Sequence, residues 1–188
     1  YTIKMMLLSQ TENIRTIYEK DNYITQERLF GDNRYIYQGQ IDTEKKYSGF
    51  GKLWSNKFKY SGNFLKFKFH GYGEIEYLEP DNNIKYYYGE YIDGKKHGTG
   101  TEKFTNGEYY IGNFSNDLRH GNGTLYNSNG IIKIEGIWSK GKSIDTTKIT
   151  EYYDNGNLKY KGNYNGLNYE GKGILCNKDG DLLFEGEF

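Results

Sequence analysis

Three histidines occupy the same position of a repeated pattern, directly before a pair of glycines. They are His70, His97 and His120. A row of imidazoles is a candidate metal site, because histidine nitrogens are common zinc ligands. If each repeat adds two strands, successive histidines lie about 10 Å apart, whereas zinc–nitrogen bonds of about 2.0–2.1 Å require ligands almost in contact. The spacing therefore favours histidines that pack beside a turn, and we expect no metal site.

The other residue types that could perform catalysis form no recognisable constellation. Cys176 lies in a repeat without a histidine, the serines follow no motif, and the carboxylates fall in turns or on alternating strand faces. A phosphate-binding loop requires its glycines to open a helix or to precede Lys-Ser/Thr, but the Gly-x-Gly pairs of this chain fall within predicted strands. We expect no catalytic residue and no cofactor, and the chain is predicted not to be an enzyme.

The element that positions these residues is a unit of about 23 residues that recurs from Tyr37 to Phe188 and is clearest over residues 87–109. Tyr87, Gly89 and Tyr91 share one face of a strand at period two. Asp93-Gly94 is typical of a tight hairpin turn, because both residues tolerate positive φ. We expect Gly89 to make room for an aromatic ring from a neighbouring strand. Each unit therefore reads as a β-hairpin.

The repeat can be followed through its first-strand glycine. This residue recurs at intervals of 23 to 27 residues, as Gly39, Gly62, Gly89, Gly112, Gly136, Gly162 and Gly186. Most units also carry the second-strand Gly-x-Gly pair, but the unit that begins at Ile134 has lost it. The longest interval contains an insertion at residues 78–83, which predicts an enlarged exposed loop.

The composition fits a thin sheet covered by aromatic side chains. Of 188 residues, 35% are hydrophobic and 18% aromatic, with 21 Tyr, 25 Gly and a single Pro. Tyrosine buries apolar area while its hydroxyl stays hydrogen-bonded. The formal net charge of zero does not favour nucleic acid, the lone cysteine excludes an internal disulfide, and the apolar run at residues 5–8 is too short for a membrane span.

Residues 1–36 lack the repeat. Short strands are predicted at Ile14–Tyr18, Tyr23–Gln26 and Arg34–Ile36, with turns at residues 21–22 and 31–33. We expect a degenerate hairpin that caps the array, and a short helix through Lys4–Ile14 is the alternative. The predicted organisation is a cap over residues 1–36 and a repeat array over residues 37–188.

The pattern Tyr-x-Gly-x-aromatic, a turn, His-Gly-x-Gly and a final Asn-Gly resembles the MORN repeat (membrane occupation and recognition nexus). The resemblance covers six units and the first strand of a seventh. It implies an all-β fold, an elongated, twisted antiparallel meander that is solenoid-like, with one hairpin per repeat. The diverged Ile134 unit predicts an irregular stretch near residues 140–160. Unpaired edge strands at the two ends predict end-to-end self-association.

Two surfaces are predicted to bind partners. The first is an aromatic, glycine-floored groove for a helix or an extended peptide of a protein partner; the alternative is that its rings only stack on each other. Its residues are Tyr60, Phe64, Tyr87, Tyr91, Tyr110, Phe114, Trp138, Tyr160 and Tyr164. The second is a ridge of basic turn residues that could contact anionic lipid, or could simply be solvated. Its residues are Lys45, Lys46, Lys66, Lys68, Lys95, Lys96 and Arg119.

Three functions follow from these surfaces. We expect a non-catalytic scaffold or adaptor that mediates protein–protein interaction in a larger assembly of cytoskeletal or ciliary type. The alternatives are a peripheral membrane tether that binds anionic phospholipid and a targeting module of a longer multidomain enzyme. The expected location is the cytoplasm, in association with the cytoskeleton, a cilium or the membrane periphery.

Overall fold

The computed structural model describes residues 14–30, 33–80, 83–144, 149–164 and 168–188. All regular elements in these ranges are β-strands, and they form one open antiparallel sheet in which the strands follow each other in chain order. The predicted all-β meander is therefore confirmed. In the same ranges no helix is long and apolar enough to cross a membrane.

Sixteen strands make up the described part of the sheet. They are β1 (Ile14–Lys20), β2 (Tyr23–Phe30), β3 (Asn33–Ile41), β4 (Tyr47–Trp54), β5 (Phe58–Leu65), β6 (Lys68–Tyr77), β7 (Ile84–Ile92), β8 (Lys95–Phe104), β9 (Tyr109–Ser115), β10 (Leu118–Tyr126), β11 (Ile132–Ser139), β12 (Lys142–Ser143), β13 (Ile149–Tyr152), β14 (Leu158–Tyr164), β15 (Tyr169–Cys176) and β16 (Leu182–Glu187). The chain divides within β8 into two compact units, unit 1 up to Gly98 and unit 2 from Thr99.

The N-terminal strands continue the meander. β1 and β2 form an antiparallel hairpin, and β2 also pairs with β3. Asp21 has φ of 54°, as a tight turn at residues 21–22 requires. The three short strands predicted before the repeats are present and are longer than expected. Residues 31–32 and nearly all of the alternative helix at residues 4–14 lie outside the described residues.

The turns have the geometry that their sequences predict. Asp93 and Gly94 both have positive φ, at 51° and 82°, which is the type I′ pattern of a two-residue hairpin. At the second turn, Phe104 N donates to Glu108 O at 2.9 Å, and Gly107 has φ of 87°. Consecutive hairpins are joined at the first turn, where Gly94 N donates to Phe69 O at 2.8 Å.

The first glycine of each Gly-x-Gly pair creates a β-bulge. It has a left-handed φ of 55° to 85° in Gly49, Gly71, Gly98, Gly121 and Gly171. Several strand pairs shift register beside it, for example between Gly62 and Phe64 where β5 faces β6. Other residues adopt this backbone conformation only with strain. The second glycine of the pair lies beneath a tyrosine ring.

The diverged unit interrupts the ladder, as predicted. β12 is two residues long and pairs only with the end of β11, whereas β13 pairs with β11 at Ile134 and Glu135. β12 and β13 are therefore two separate strands, and residues 145–148 between them lie outside the described ranges. In the predicted insertion loop, Leu78, Glu79, Pro80 and Asn83 are exposed.

Candidate functional site

One tyrosine in most repeats lies over two glycines on adjacent strands. Tyr60 covers Gly62 on its own strand and Gly73 on the next strand. A Cβ added at Gly73 would lie 2.2 Å from Tyr60 Oη, and one at Gly62 would lie 2.6 Å from it. The same crowding recurs beneath Tyr37, Tyr110 and Tyr160. Glycine does make room for an aromatic ring, and the ring comes from two residues earlier on the first strand of the hairpin.

The hydroxyl of each covering tyrosine donates a hydrogen bond to the carbonyl three residues further along the chain. The five donor–acceptor distances are 2.6–3.1 Å, for Tyr37–Gln40, Tyr60–Asn63, Tyr87–Glu90, Tyr110–Asn113 and Tyr160–Asn163. Burial raises the pKa of Tyr110 to about 12. The hydroxyl is therefore a protonated donor at neutral pH.

The predicted aromatic groove is the core of the sheet. Eight of its nine side chains are no more than 4% exposed, and Tyr87 is 0% exposed. The rings pack edge-to-face on each other, for example Tyr60 on Phe64 at 5.1 Å between centroids and Tyr110 on Trp138 at 5.0 Å. The prediction of an exposed groove is corrected, because the aromatic rings themselves fill the space. Partner binding by Tyr164, which is partly exposed, stays a prediction.

A second recurrent position stacks flat on the covering tyrosine. It lies two residues before the left-handed glycine. Tyr47, Phe69 and Tyr169 occupy it, with ring centroids 3.6–3.7 Å from Tyr37, Tyr60 and Tyr160 and interplanar angles of 6–8°. In the two central repeats the same position holds a cation. Lys96 Nζ lies 4.8 Å from the Tyr87 centroid, and Arg119 Cζ lies 5.0 Å from the Tyr110 centroid.

The face opposite the tyrosine layer, called the outer face, is the accessible surface. In unit 1, strand pairing places its side chains in rows across β4–β7. Lys52, Ser61, Glu74 and Tyr88 form one row, and Trp54, Lys59, Glu76 and Tyr86 form the next. Three aromatic residues of this face are about half exposed, Phe50 at 53%, Tyr72 at 54% and Tyr88 at 52%.

All residues of these rows except Tyr88 line an open cleft of about 440 Å³ in which the charges are segregated. Lys52 and Lys59 stand on β4 and β5, whereas both acidic residues stand on β6. Lys59 Nζ lies 3.9 Å from Glu76 Oε2, and the Tyr86 hydroxyl donates to Glu74 Oε2 at 2.8 Å. Burial, together with the Glu74 carboxylate, raises the pKa of Tyr86 to about 12. The cleft is basic on one side and acidic on the other.

Unit 2 has a similar cleft of about 540 Å³ on its own outer face. Lys161 and Lys172 stand on β14 and β15, and Glu185 and Glu187 stand on β16. Its floor is the row of paired glycines Gly162, Gly173 and Gly186. In each unit, the basic side chains of the cleft come from earlier strands than the acidic ones.

The repeated geometry coincides with a known sequence family. The profile of the MORN repeat matches residues 87–109 and 110–131, two segments that begin at the covering tyrosines Tyr87 and Tyr110. The chain contains MORN repeats. No curated protein matches the chain. MORN repeats form a non-catalytic family and generally take part in protein–protein or membrane interactions.

The basic ridge predicted for lipid contact is largely engaged within the MORN repeats. Lys96 is 6% exposed, and Arg119 Nη2 pairs with Glu102 Oε2 at 2.9 Å. The prediction that these two cations contact lipid is corrected, because both pack against tyrosine rings. Lys45 and Lys46 pair with glutamates, and Lys68 Nζ lies 3.1 Å from Asp93 Oδ1. Lys66 and Lys95 are exposed. Lipid contact by these five lysines stays a prediction.

The candidate metal ligands do not converge in the described MORN repeats. No group of three His, Cys, Asp or Glu side chains in those ranges could hold a metal ion. His70 directly precedes the left-handed Gly71, and its Nδ1 is buried without a hydrogen-bond partner in the described structure. Cys176 is buried, and its carbonyl accepts a hydrogen bond from the Tyr153 hydroxyl at 3.0 Å.

Sequence reasoning missed the outer-face residues. Phe50 and Tyr72 lie between the two glycines of their MORN repeats, and Tyr88 lies between the covering tyrosine and its glycine. The signal was available, since residues that alternate with a buried set must point to the other side of a strand.

Proposed function

We propose that this MORN-repeat chain is a non-catalytic scaffold or adaptor that binds protein partners through the outer face of unit 1, within an assembly of cytoskeletal or ciliary type. The observation that carries the proposal is the set of half-exposed aromatics Phe50, Tyr72 and Tyr88. Aromatic side chains are enriched at protein interfaces, where they supply a large share of the binding energy.

The rest of the face supports specific recognition. The charged residues around the cleft, Lys52, Lys59, Glu74 and Glu76, can orient a partner and disfavour incorrect ones through like-charge repulsion. The same face would serve a targeting module of a longer enzyme equally well. Lipid tethering has less support, since one of the seven predicted cations, Lys96, is buried and four others are paired with acidic residues.

The test is affinity purification of the tagged chain from its native cells, with and without detergent, followed by mass spectrometry. We expect a few near-stoichiometric proteins that survive detergent and are lost from the triple variant F50S/Y72S/Y88S. A matched control replaces exposed aliphatic residues of unit 2, I111S/L118S/I137S, and should retain them. Recovery with membranes alone, abolished by detergent or high salt, would contradict the scaffold and favour the lipid tether.

A further inference from the structure

The charged rows of the unit 1 outer face are complementary to themselves. One row reads Lys52, Ser61, Glu74, Tyr88 from β4 to β7, and the adjacent row reads Trp54, Lys59, Glu76, Tyr86. The positive charges lie on one side of the line between β5 and β6, and the negative charges lie on the other. A two-fold axis along this line, parallel to the strands, brings each half of one face onto the opposite half of a second copy.

The contacts created by this axis match in chemical type. β5 lies over β6 of the partner and β4 lies over β7, so Lys59 faces Glu76 of the second copy and Ser61 faces Glu74 of the second copy. In the outer columns, Lys52 faces the ring of Tyr88, and Trp54 faces the ring of Tyr86, again across the two copies. Every contact occurs twice, as a two-fold interface requires.

The placement of the aromatics favours the paired charges. Lys59 and Glu76 lie in the central columns, where the four charges of two copies alternate in sign around the axis. Trp54, Tyr86 and Tyr88 lie in the outer columns, where aromatic contact excludes water from the centre. Lower local polarity strengthens ion pairs, and a lysine over a tyrosine ring adds a cation–π contact.

We propose that a second copy of this chain docks face-to-face on the outer face of unit 1, with Lys59 and Glu76 forming two reciprocal ion pairs across the two-fold axis. Four strands at about 4.8 Å spacing give a small footprint, and small interfaces are typical of weak, reversible complexes. The dimer is therefore weak and sensitive to salt. This dimer goes beyond the scaffold function, because the second copy covers the surface to which a partner protein would bind.

The test is sedimentation velocity of the 188-residue chain and two charge-reversal variants, K59E and E76K. Wild type is measured from about 5 to about 200 µM, which brackets a micromolar dissociation constant, in about 50 mM and about 500 mM NaCl. We expect a dimer at low salt that dissociates at high salt. Each variant alone should be monomeric, because its four central charges have one sign. A 1:1 mixture of the variants should form the dimer again.

The control is K178E, which makes the same charge change on an exposed turn of unit 2 and should dimerise like wild type. Circular dichroism confirms that each variant is folded. A wild type that stays monomeric throughout would overturn the proposal, and so would a mixture that remains monomeric. Association of both variants alone would also overturn it and would indicate pairing of strand edges instead. Any of these results leaves the detergent-resistant capture of a partner protein as a separate test of the scaffold function.

Discussion

The glycines of each repeat have two separate functions at the scale of the residue. Gly73 lies beneath the Tyr60 ring, where a side chain has no space, whereas Gly94 has φ of 82° in an open turn. The first is required for packing and the second for backbone conformation. The two requirements predict different penalties for the same substitution.

Replacement of Gly73 by alanine should destabilise the fold more than replacement of Gly94. The added Cβ at position 73 would lie 2.2 Å from Tyr60 Oη, so the ring must move and its bond to Asn63 O is strained. We expect a loss of about 3 kcal/mol or more for Gly73→Ala, at the upper end of overpacking costs. Gly94→Ala meets no atom within 4 Å and should lose about 1 kcal/mol through its left-handed φ. Urea unfolding measures both, and equal losses would contradict the packing function.

Removal of the Tyr60 hydroxyl should cost one hydrogen bond. Tyr60→Phe keeps the ring over the glycines but removes the donor to Asn63 O, so we expect the free energy of unfolding to fall by about 1 kcal/mol. Tyr72→Phe is the matched control, because that ring is 54% exposed. Denaturant unfolding should show no change for the control. A Tyr60→Phe variant as stable as wild type would show that the bond contributes nothing.

Stacking on the covering tyrosine is the feature that distinguishes one hairpin from another. An aromatic ring occupies this position in three repeats and a cation occupies it in two, so the layer accepts either a flat ring or a positive charge. Arg119 also neutralises Glu102, whose side chain is 4% exposed. The cation therefore allows a carboxylate to be buried beside the aromatic layer.

The variant Arg119→Phe tests this arrangement at the scale of the hairpin. The new ring can stack on Tyr110, but the buried Glu102 carboxylate loses its ion pair with Arg119, and breaking a buried pair typically costs about 3–5 kcal/mol. We expect strong destabilisation of Arg119→Phe and recovery of most of the loss in the double variant Arg119→Phe/Glu102→Met. Thermal unfolding of Arg119→Phe, Glu102→Met and the double variant gives the coupling energy between the two positions. Additive losses would show that the ion pair is not what holds the hairpin.

The tyrosine layer makes the stability of the whole molecule sensitive to alkaline pH. Burial raises the pKa of Tyr47, Tyr110 and Tyr169 to about 12, and it also raises the pKa of Tyr37 and Tyr60. The unfolded chain loses these protons near pH 10, so above that pH it binds fewer protons than the folded chain. The stabilisation is complete below about pH 10 and declines as the pH rises through the folded-state values.

We therefore expect the free energy of unfolding to be flat from neutral pH to about pH 9 and to fall steeply above about pH 10. Each buried tyrosine contributes a slope of about 1.4 kcal/mol per pH unit. Guanidinium unfolding at a series of pH values measures the slope, and the absorbance of tyrosinate measures the titration directly. Tyr47→Phe should reduce the slope by about 1.4 kcal/mol per pH unit, which corresponds to one proton. Tyrosines that all titrate near pH 10 in the folded chain would contradict the prediction.

Much of the fold could be predicted because its information is local. The hairpin of residues 87–109 contains its own strand pattern and turn residues, and Asp93-Gly94 adopts the predicted positive φ values. The loss of the Gly-x-Gly pair after Ile134 predicted the split between β12 and β13. The candidate sites were predicted less well. Lys96 and Arg119 look like solvated turn residues, and only packing shows that they stack on Tyr87 and Tyr110.

By itself, the sequence determined the MORN repeats, the meander of hairpins, the turns and the need for glycine beside tyrosine. These features depend on residues that lie close together along the chain, where period-two alternation and positive φ act directly. Only the tertiary structure decided which face is buried and which cations are engaged. Burial depends on contacts between strands of different repeats, so Tyr60 became core and Tyr72 remained exposed although both are tyrosines on neighbouring strands. The candidate site therefore moved from the aromatic layer to the outer face.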